Sequence, residues 1–520
     1  MTIESQCNMR IRTINIIYSL VVLLTSLSCK KKEDEVPNIL INNVQILRNL
    51  DSVYLVAQQI YLWNDQLPTI GHFNPLRFYK SGADEISMYK NEIFELTRYP
   101  KIDETNDSYE YNPFNPTSPK YSTIVSQKYE ESGKDSGYNL YNPFGLSIGI
   151  ADNIIRLLYV DPNSPSGKAG LKRGDQIISI NGINVGSEDT FLRQWKNAID
   201  NSFIKFEIVN GNSTKREVRL NAAVYEPDPV VKSLILEQGE KKIGYLAYNS
   251  FTPLANSEKY IFPQFLTFEQ KGVKELIIDL RYNQGGYQTT VNFLANLIAP
   301  ASINGRVMYS EHYNKLMQEG KAEILKNYNL LDENNERVYI NGIPMTLFDI
   351  DYSVESNTSY FKKDEGPRAI EKINFIVSSM TASASELLIN VLEPYCDIQI
   401  IGVSKNNEEA IHTYGKPVGF FDIPIKDFDL YLSMYELKNA QNSQGYFKGI
   451  KADHTVVDDI KSDFGSRSDP AVILALNAKN IKKGSAKSNR PSNKFNAISY
   501  FFNNDRLNGS IKEIKDLKIK

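Results

Sequence analysis

INFIVSSMTASASELLINVLEPY, residues 373–395, is the stretch that decides the fold, because an apolar strand gives way in it to an amphipathic helix. Residues 373–378 are typical of a buried strand, and four later apolar residues fall on one helical face: Leu387, Leu388, Val391 and Leu392. Ser383 stands at the junction, where it fits an S-x-x-E capping box with Glu386. Ser383 is therefore either a helix cap or a nucleophile. The second interpretation needs further catalytic residues elsewhere in the sequence.

Three further segments supply such partners. Residues 279–286 read DLRYNQGG and follow the apolar run 276–278. Residues 413–416 read TYGK, and residues 164–185, SPSGKAGLKRGDQIISINGINV, precede both. Together with TASASE these segments resemble, motif by motif and in the same order, the S41 family of tail-specific, or C-terminal processing, serine proteases, which carry a PDZ module and a serine and lysine dyad.

The resemblance covers most of residues 40–475 and has implications for fold and function. It implies an α/β protease core of the ClpP/crotonase-like type, with an inserted or preceding PDZ-like β domain and a small N-terminal helical domain. It implies a serine-type peptidase that needs no cofactor and no metal, with Ser383 as nucleophile and Lys416 as general base. Its partners would be proteins or peptides with accessible C-termini, held in the PDZ groove.

The residue types fit this chemistry. A lysine takes a proton from a serine hydroxyl only as a neutral amine, so its pKa must fall several units below roughly 10.4. Apolar and aromatic neighbours of Lys416 in the sequence favour such a shift: Tyr414, Pro417, Val418, Phe420 and Phe421. Two competing bases remain, Lys405 in a KNNEE run and His412, and a surface turn around Lys416 is the structural alternative.

Glycines near the serine provide candidates for an oxyanion hole. Backbone amides of Gly285 or Gly286, together with that of Ser383 itself, are assigned to it, because glycine allows the backbone to approach a substrate closely. The pair of glycines also fits a plain turn from strand to helix. Asp279 and Arg281 are interpreted as a structural ion pair.

The peptide-binding candidates lie upstream, in the PDZ-like region. Tyr141–Ile150 supplies the loop and strand on which such modules hold a terminal carboxylate, with Gly145, Leu146, Ser147, Ile148 and Gly149 as the predicted contacts. Leu146, Ile148 and Ile150 would line the groove. The alternative is a turn and an alternating strand without a ligand.

Two departures from the family pattern stand beside Lys416. Relatives commonly place a glutamine four residues after the lysine, where it orients the amine, but this position is Phe420, and Pro417 replaces the usual glycine. The interval from Ser383 to Lys416 is longer than in relatives and includes SKNNEEAIH. A catalytically silent PDZ-containing binding or adaptor lipoprotein is therefore a second hypothesis. A serine esterase acting on small substrates is a third, but the chain lacks the G-x-S-x-G motif that is usual in such enzymes.

The amino terminus has the pattern of a secretion signal. Arg10 and Arg12 precede an apolar run shorter than the ~20 residues of a spanning helix, and the run ends in small residues before Cys29. This resembles a bacterial lipobox, with Cys29 lipidated and anchored to the outer membrane, on its periplasmic or cell-surface face. An ordinary signal peptide or a short anchor is the alternative.

The predicted domains follow from these features. They are a signal peptide (1–28), a lipidated tether (29–40), an N-terminal helical region (41–136), a PDZ-like domain (137–226), a protease core (240–475) and a basic polar tail (476–520). The pattern predicts a helix over 42–67 and a short helix over 495–507. Alternating strands and helices between 276 and 403 predict a largely parallel sheet, interrupted by a polar and aromatic insertion at 302–370.

Composition agrees with this organisation. A chain of 520 residues with 41% hydrophobic and 23% charged residues is ordinary for a soluble protein of several domains. Its net charge of −3 says little about partners, and the lack of a basic run with interleaved aromatics argues against nucleic-acid binding. Its four histidines are scattered singly, without metal-ligand spacing.

Overall fold

The structure is a computed structural model of the 520-residue chain. It describes residues 38–103, 105–113, 115–127, 142–151, 154–199, 201–211, 213–332, 336–404, 411–442, 445–477, 499–501, 510–512 and 517–520. The predicted signal peptide, Cys29 and Lys405 lie outside these ranges. Within them, no helix is long and apolar enough to cross a membrane.

The N-terminal region is helical and packs on the protease core. Its elements are α1 (Asn38–Ile60), α2 (Ile70–Phe73), α3 (Glu85–Leu96), the 3₁₀ turns Asn64–Gln66 and Pro75–Phe78, and strand β1 (Thr123–Ser126). The helix predicted over 42–67 is present, but it begins earlier and ends at Ile60. Asp84 caps α3 by accepting a hydrogen bond from the Ser87 amide at 3.2 Å. Buried residues of α1 and α3 share one hydrophobic cluster with the core, so this region has no separate core of its own.

The PDZ-like region folds around its own core. Its elements are β2 (Leu146–Ala151), β3 (Ile154–Val160), α4 (Pro165–Lys168), β4 (Gln176–Ile180), β5 (Ile183–Asn184), α5 (Glu188–Ile199), β6 (Phe203–Val209) and β7 (Lys215–Asn221). The strands pair antiparallel in the order β2-β3-β4-β6-β7, and β5 pairs with β4. Phe191 and Trp195 of α5 close the cluster that the inward side chains of the sheet form.

The region predicted as the protease core (240–475) is built on a six-stranded sheet, as far as the chain is described, in the order β22-β17-β16-β10-β9-β8. Its elements are β8 (Val230–Gln238), β9 (Lys241–Tyr248), α6 (Leu254–Gln270), β10 (Glu275–Asp279), β11 (Gly286–Tyr287), α7 (Gln288–Ile298), β12 (Val307–Tyr313), α8 (Lys315–Gln318), β13 (Tyr339–Ile340), β14 (Ile343–Pro344), β15 (Thr358–Tyr360), β16 (Lys372–Val377), α9 (Ala384–Leu392), β17 (Ile398–Ser404), β18 (Val418–Phe420), β19 (Ile423–Ile425), β20 (Phe428–Tyr431), β21 (Tyr435–Asn439), β22 (His454–Val457) and α10 (Pro470–Asn477). Three short 3₁₀ turns accompany them: Ala301–Ile303, Glu323–Asn327 and Leu347–Asp349.

The parallel pairing predicted for this sheet is confirmed. β9, β10, β16, β17 and β22 run parallel, and β8 alone among the six pairs antiparallel, at the edge beside β9. Asp279 of β10 lies opposite Ile376 of β16. Because the carboxyl ends of parallel strands meet at one edge, this register brings the loop before Gly285 beside the loop before Ser383.

A second sheet lies over this edge and includes the end of the chain. Its order is β11-β24-β18-β21-β12-β15, in which β24 is Ser510–Ile511. The insertion at 302–370 contributes β12 and β15 to it. A further strand, β23 (Ser499–Phe501), pairs with β2 of the PDZ-like region. The short helix predicted over 495–507 is therefore wrong where that segment is described, because a partner strand distant in sequence fixes its conformation.

A buried network of charges joins the PDZ-like region to the core. The Arg281 guanidinium pairs with Asp279 at 2.7 Å, which confirms the predicted ion pair. It also pairs with Asp458 at 3.0 Å and with Asp469 at 2.7 Å. Arg173, from the KRGD turn of the PDZ-like region, shares Asp458 at 2.8 Å. Because these side chains are almost fully buried, each needs the others for charge compensation.

Candidate active site

Ser383 sits in a strained turn at the start of α9. It is the N-cap residue, with φ 57° and ψ −115°, a region that non-glycine residues seldom adopt. Such strain persists only where the surroundings impose it, and it is found most often at functional sites. Gly285 lies against this turn: a β-carbon placed on it would be 2.8 Å from Cβ of Ser383, so only glycine fits. The serine is thus the helix cap and also packs directly against Gly285.

One carboxylate, that of Glu386, holds the serine turn to the lysine turn. Its Oε2 accepts hydrogen bonds from the amides of Ser383 and Lys416, both at 2.8 Å. Its Oε1 accepts from the Gly415 amide at 2.6 Å and from the Thr413 hydroxyl. Burial raises the pKa of Glu386, while these four donors oppose the rise. The capping residue predicted from the sequence therefore also positions the candidate base.

Lys416 is fully buried, with 0% of its surface exposed. Burial lowers the pKa of its amine to about 7, because the charged form loses its hydration. Its Nζ lies 5.1 Å from the Phe420 ring centre and 5.6 Å from that of Tyr121. Among the residues that the structure describes, Nζ has no hydrogen-bond partner, so no bond closes between it and the Ser383 hydroxyl in this conformation. Phe420, at the position where the family resemblance leads us to expect glutamine, faces the amine with its ring.

The N-terminal region completes the surroundings of this lysine. Tyr121 donates its hydroxyl to the Gly415 carbonyl at 2.6 Å. The neighbouring Lys120 amine donates to the Phe447 carbonyl at 2.7 Å, and burial lowers its pKa to about 8. The Glu110 carboxylate accepts from the amides of Tyr121 and Ser122 at 3.1 and 2.8 Å. Sequence reasoning missed these residues, because they lie in a segment rich in Asn, Pro and Tyr that predicts a loop.

Two amides of the predicted oxyanion hole have partners within the chain. The Gly285 amide donates to Oδ1 of Asn283 at 2.9 Å, and the Ser383 amide donates to Glu386. Gly286 has φ 139°, and a β-carbon on it would lie 2.0 Å from the Phe251 carbonyl oxygen. Of the two glycines, Gly285 is the one that lies against Ser383. Presenting Gly285 or Ser383 to a substrate requires their present contacts to open.

The other candidate base is placed away from these contacts. His412 is exposed, and its ring Nδ1 lies 3.5 Å from the Gly449 carbonyl oxygen. A cavity of about 570 Å³ opens beside it and is also lined by Lys120, Thr413 and Tyr414. Ser383 and Lys416 do not line this cavity. In this conformation the candidate dyad is closed to solvent.

The predicted peptide-binding residues lie on β2 and the loop before it. The amides of Gly145 and Leu146 donate to Oδ1 of Asn142 at 2.8 and 3.2 Å. The side chains of Leu146 and Ile148 are buried in the core of the PDZ-like region, and Ser147 is also buried. Gly149 packs against Leu158. The main chain of β2, which a peptide would have to meet, is paired with β23 in this structure.

Replacing Glu386 by glutamine tests its role in holding the two turns together. Either amide orientation points an NH₂ group at two donors, so Glu386→Gln is expected to lower the free energy of unfolding by about 1–3 kcal/mol. Urea denaturation of the two chains measures this difference. Glu393→Gln, at the exposed end of the same helix, is the matched control. Equal stability of Glu386→Gln and Glu393→Gln would contradict the role.

Comparison with known proteins agrees with this geometry. Residues 242–454 match the profile of peptidase family S41, and residues 157–195 match a PDZ domain. A carboxy-terminal processing protease of Bacillus subtilis (strain 168) is 27% identical over 182 residues, which are 33% of this chain and 35% of that protein. A carboxyl-terminal-processing protease of Picosynechococcus sp. is 29% identical over 165 residues, 31% of this chain and 38% of that protein.

A solved structure extends the likeness in fold. A protein of Bacteroides fragilis NCTC 9343, assigned to the S41 proteases, superimposes with a TM-score of 0.53 at 21% identity, over 82% of this chain and 97% of the other. The chain spans about 35–50% of the length of the curated relatives that it matches. The chain therefore carries a peptidase family S41 domain over residues 242–454 and, before it, a PDZ domain that includes residues 157–195.

Proposed function

We propose that this protein is a serine endopeptidase that cleaves protein substrates recognised by their C-terminal tails. The observation that carries the proposal is Lys416, an amine with 0% exposure whose pKa burial lowers to about 7. One carboxylate oxygen of Glu386 accepts hydrogen bonds from the backbone amides of both Lys416 and Ser383. A dyad requires a lysine that is neutral near neutral pH and a serine within its reach. The core would be of the ClpP/crotonase-like type, and the N-terminal helical region, predicted as a small domain, would be part of that core.

The proposed mechanism uses the two side chains in turn. Above a pH of about 7 the Lys416 amine is mostly neutral and accepts the proton of the Ser383 hydroxyl. The serine oxygen bonds to the carbonyl carbon, and amides of Gly285 or Gly286 and of Ser383 stabilise the oxyanion once their internal contacts open. The Lys416 ammonium then protonates the leaving amine. Water hydrolyses the ester with Lys416 again as base.

The PDZ domain would select the substrate. A peptide would add as a strand to β2, so its affinity would come mainly from main-chain hydrogen bonds. Gly145, Leu146, Ser147, Ile148 and Gly149 are the proposed contact segment. Asn142, which now holds two amides of this loop, would have to release them to a terminal carboxylate.

Replacing either member of the dyad is expected to abolish cleavage. In the chain from Asn38 to Lys520, Ser383→Ala and Lys416→Ala should each lower the rate of hydrolysis of an unfolded test protein by about 10³-fold or more. His412→Ala, a change at an exposed imidazole, is the matched control and should keep the parent rate. Rates are measured from the release of peptide fragments.

The same experiment separates the proposal from its alternative. Unchanged cleavage in Ser383→Ala would contradict the proposed nucleophile. Peptide binding at the PDZ domain by the parent chain, with no cleavage under any condition, would instead support a catalytically silent adaptor. The altered position Phe420 motivates that second hypothesis.

The cell envelope is the proposed location. The support is the sequence alone: small residues precede Cys29, and lysines and acids follow it. Cys29→Ala is expected to abolish incorporation of labelled palmitate when the full chain is expressed in a bacterium that processes lipoproteins. Cys396→Ala, a change at a half-buried thiol in the core, is the control and should keep the label. Equal labelling of Cys29→Ala and the parent would exclude this anchor.

A further inference from the structure

The end of this chain lies on the strand that the PDZ domain would offer to a peptide. β23 pairs antiparallel with β2, with Phe501 opposite Ile148, Tyr500 opposite Gly149 and Ser499 opposite Ile150. This is the strand-addition geometry by which an extended peptide docks on a sheet edge. The chain's own segment therefore fills the edge on which the proposed substrate recognition depends.

A second piece of the C-terminal segment, residues 510–512, lies between the Ser383 turn and the Lys416 turn. β24 runs parallel to β11 and to β18, with Ser510 opposite both Gly286 and Gly419. The Lys512 amide continues the pairing by donating to the Phe420 carbonyl at 3.1 Å. β11 starts next to Gly285, which contacts the Ser383 turn, and β18 starts two residues after Lys416. Adjacent strands are about 4.8 Å apart, so this piece lies between β11 and β18, beside both turns. We call the space between these two strands the catalytic cleft.

A buried ion pair anchors this piece. The Lys512 amine lies 2.7 Å from Oε2 of Glu311, and the two side chains are 10% and 4% exposed. Asn357 accepts a second hydrogen bond from the same amine at 3.1 Å. Glu311 also accepts from Gln288 and from the Tyr313 hydroxyl, each at 3.0 Å, but neither of these groups carries a positive charge. A buried carboxylate of this kind strongly favours a cation as its neighbour.

The last residues fasten the segment to the insertion. The Asp351 amide donates to the Lys518 carbonyl at 2.8 Å, and the Lys520 amide donates to the Asp349 carbonyl at 2.9 Å. Leu517 is buried in the same hydrophobic cluster as the protease core. These contacts lie beyond the cleft, so the chain is held on both sides of residues 510–512.

We propose that residues 499–501 and 510–512 are an intramolecular ligand, which fills the PDZ edge and the catalytic cleft of the resting enzyme, and that Glu311 selects a basic side chain there. The proposal rests on the proposed function. Ser383 and Lys416 are both 0% exposed in this structure. Because β24 pairs with β11 and β18 beside the two turns, the segment would have to leave before a substrate strand could pair there. A substrate chain that takes its place would present lysine or arginine to Glu311, because any other residue leaves that carboxylate without a cation.

Removing the anchoring charge tests the ligand. In the chain from Asn38 to Lys520, Lys512→Met is expected to raise the rate of hydrolysis of an unfolded test protein by about tenfold or more, because truncating one partner of a buried charge pair weakens docking by at least that factor. Hydrogen exchange at Gly286 and at residues 418–420 should increase in parallel. Lys271→Met, at an exposed lysine of the core outside this segment, is the control and should match the parent in both measurements.

A second variant and an added peptide make the result decisive. Ile511→Asp places a charge in the cleft and should act in the same direction as Lys512→Met. A synthetic peptide of residues 508–520 should restore the parent rate to Lys512→Met, and the same peptide with methionine at position 512 should do so only at about tenfold higher concentration or more. Parent rates and parent exchange in both variants would overturn the proposal. Lower rates with lower melting temperatures would also overturn it, because the segment would then be a structural strand.

Hydrogen exchange keeps this test distinct from that of the proposed function. The exchange measurement is repeated in chains that also carry Ser383→Ala, where no cleavage is required. Faster exchange in Lys512→Met, with no hydrolysis by any variant, would support the intramolecular ligand and contradict the peptidase. Hydrolysis that depends on Ser383 but not on Lys512 would support the peptidase and contradict the ligand.

Discussion

The Glu386 carboxylate is the interaction on which the site depends. The amides at the start of a helix lack partners within it, and a buried carboxylate is unfavourable unless donors surround it. Glu386 meets both needs by accepting from the Ser383 amide at the start of α9 and from three groups of the Thr413–Lys416 turn. Glu386 and Lys416 are 30 residues apart in the sequence, so one side chain holds two separate segments together.

The low pKa of the Lys416 amine follows from the exclusion of water by this arrangement. With its backbone held by Glu386, the side chain of Lys416 points among Tyr121 and Phe420, where water does not hydrate the ammonium. Tyr121 comes from the N-terminal region, and β1 pairs with β20 to keep that region on the core. The helical segment ahead of the PDZ domain therefore forms part of the site rather than a separate module. The ring of Phe420 contributes to desolvation, which an amide at that position would oppose.

Sequence patterns predicted the parts of this structure whose signals are local. The alternating strands and helices predicted between residues 276 and 403 are present, because apolar periodicity and the S-x-x-E cap act over one element. The ion pair of Asp279 and Arg281 was predicted and is confirmed. Contacts between distant segments were missed: Glu110, Lys120 and Tyr121 beside the lysine, and Ser499–Phe501 as a strand. Pairing with distant strands and burial by other segments decide these positions, and neither leaves a periodic trace in the sequence.

Burial should keep the Lys416 amine neutral near neutral pH, and a titration of that amine is the sharpest test. Nitrogen-15 NMR of the side-chain amines, compared between the parent chain and Lys416→Met to assign the signal, gives its pKa. We expect a transition near pH 7, well separated from ordinary lysines at roughly 10.4. A Lys416 signal that titrates with those lysines would mean that the amine stays charged and that Lys416 is not the base.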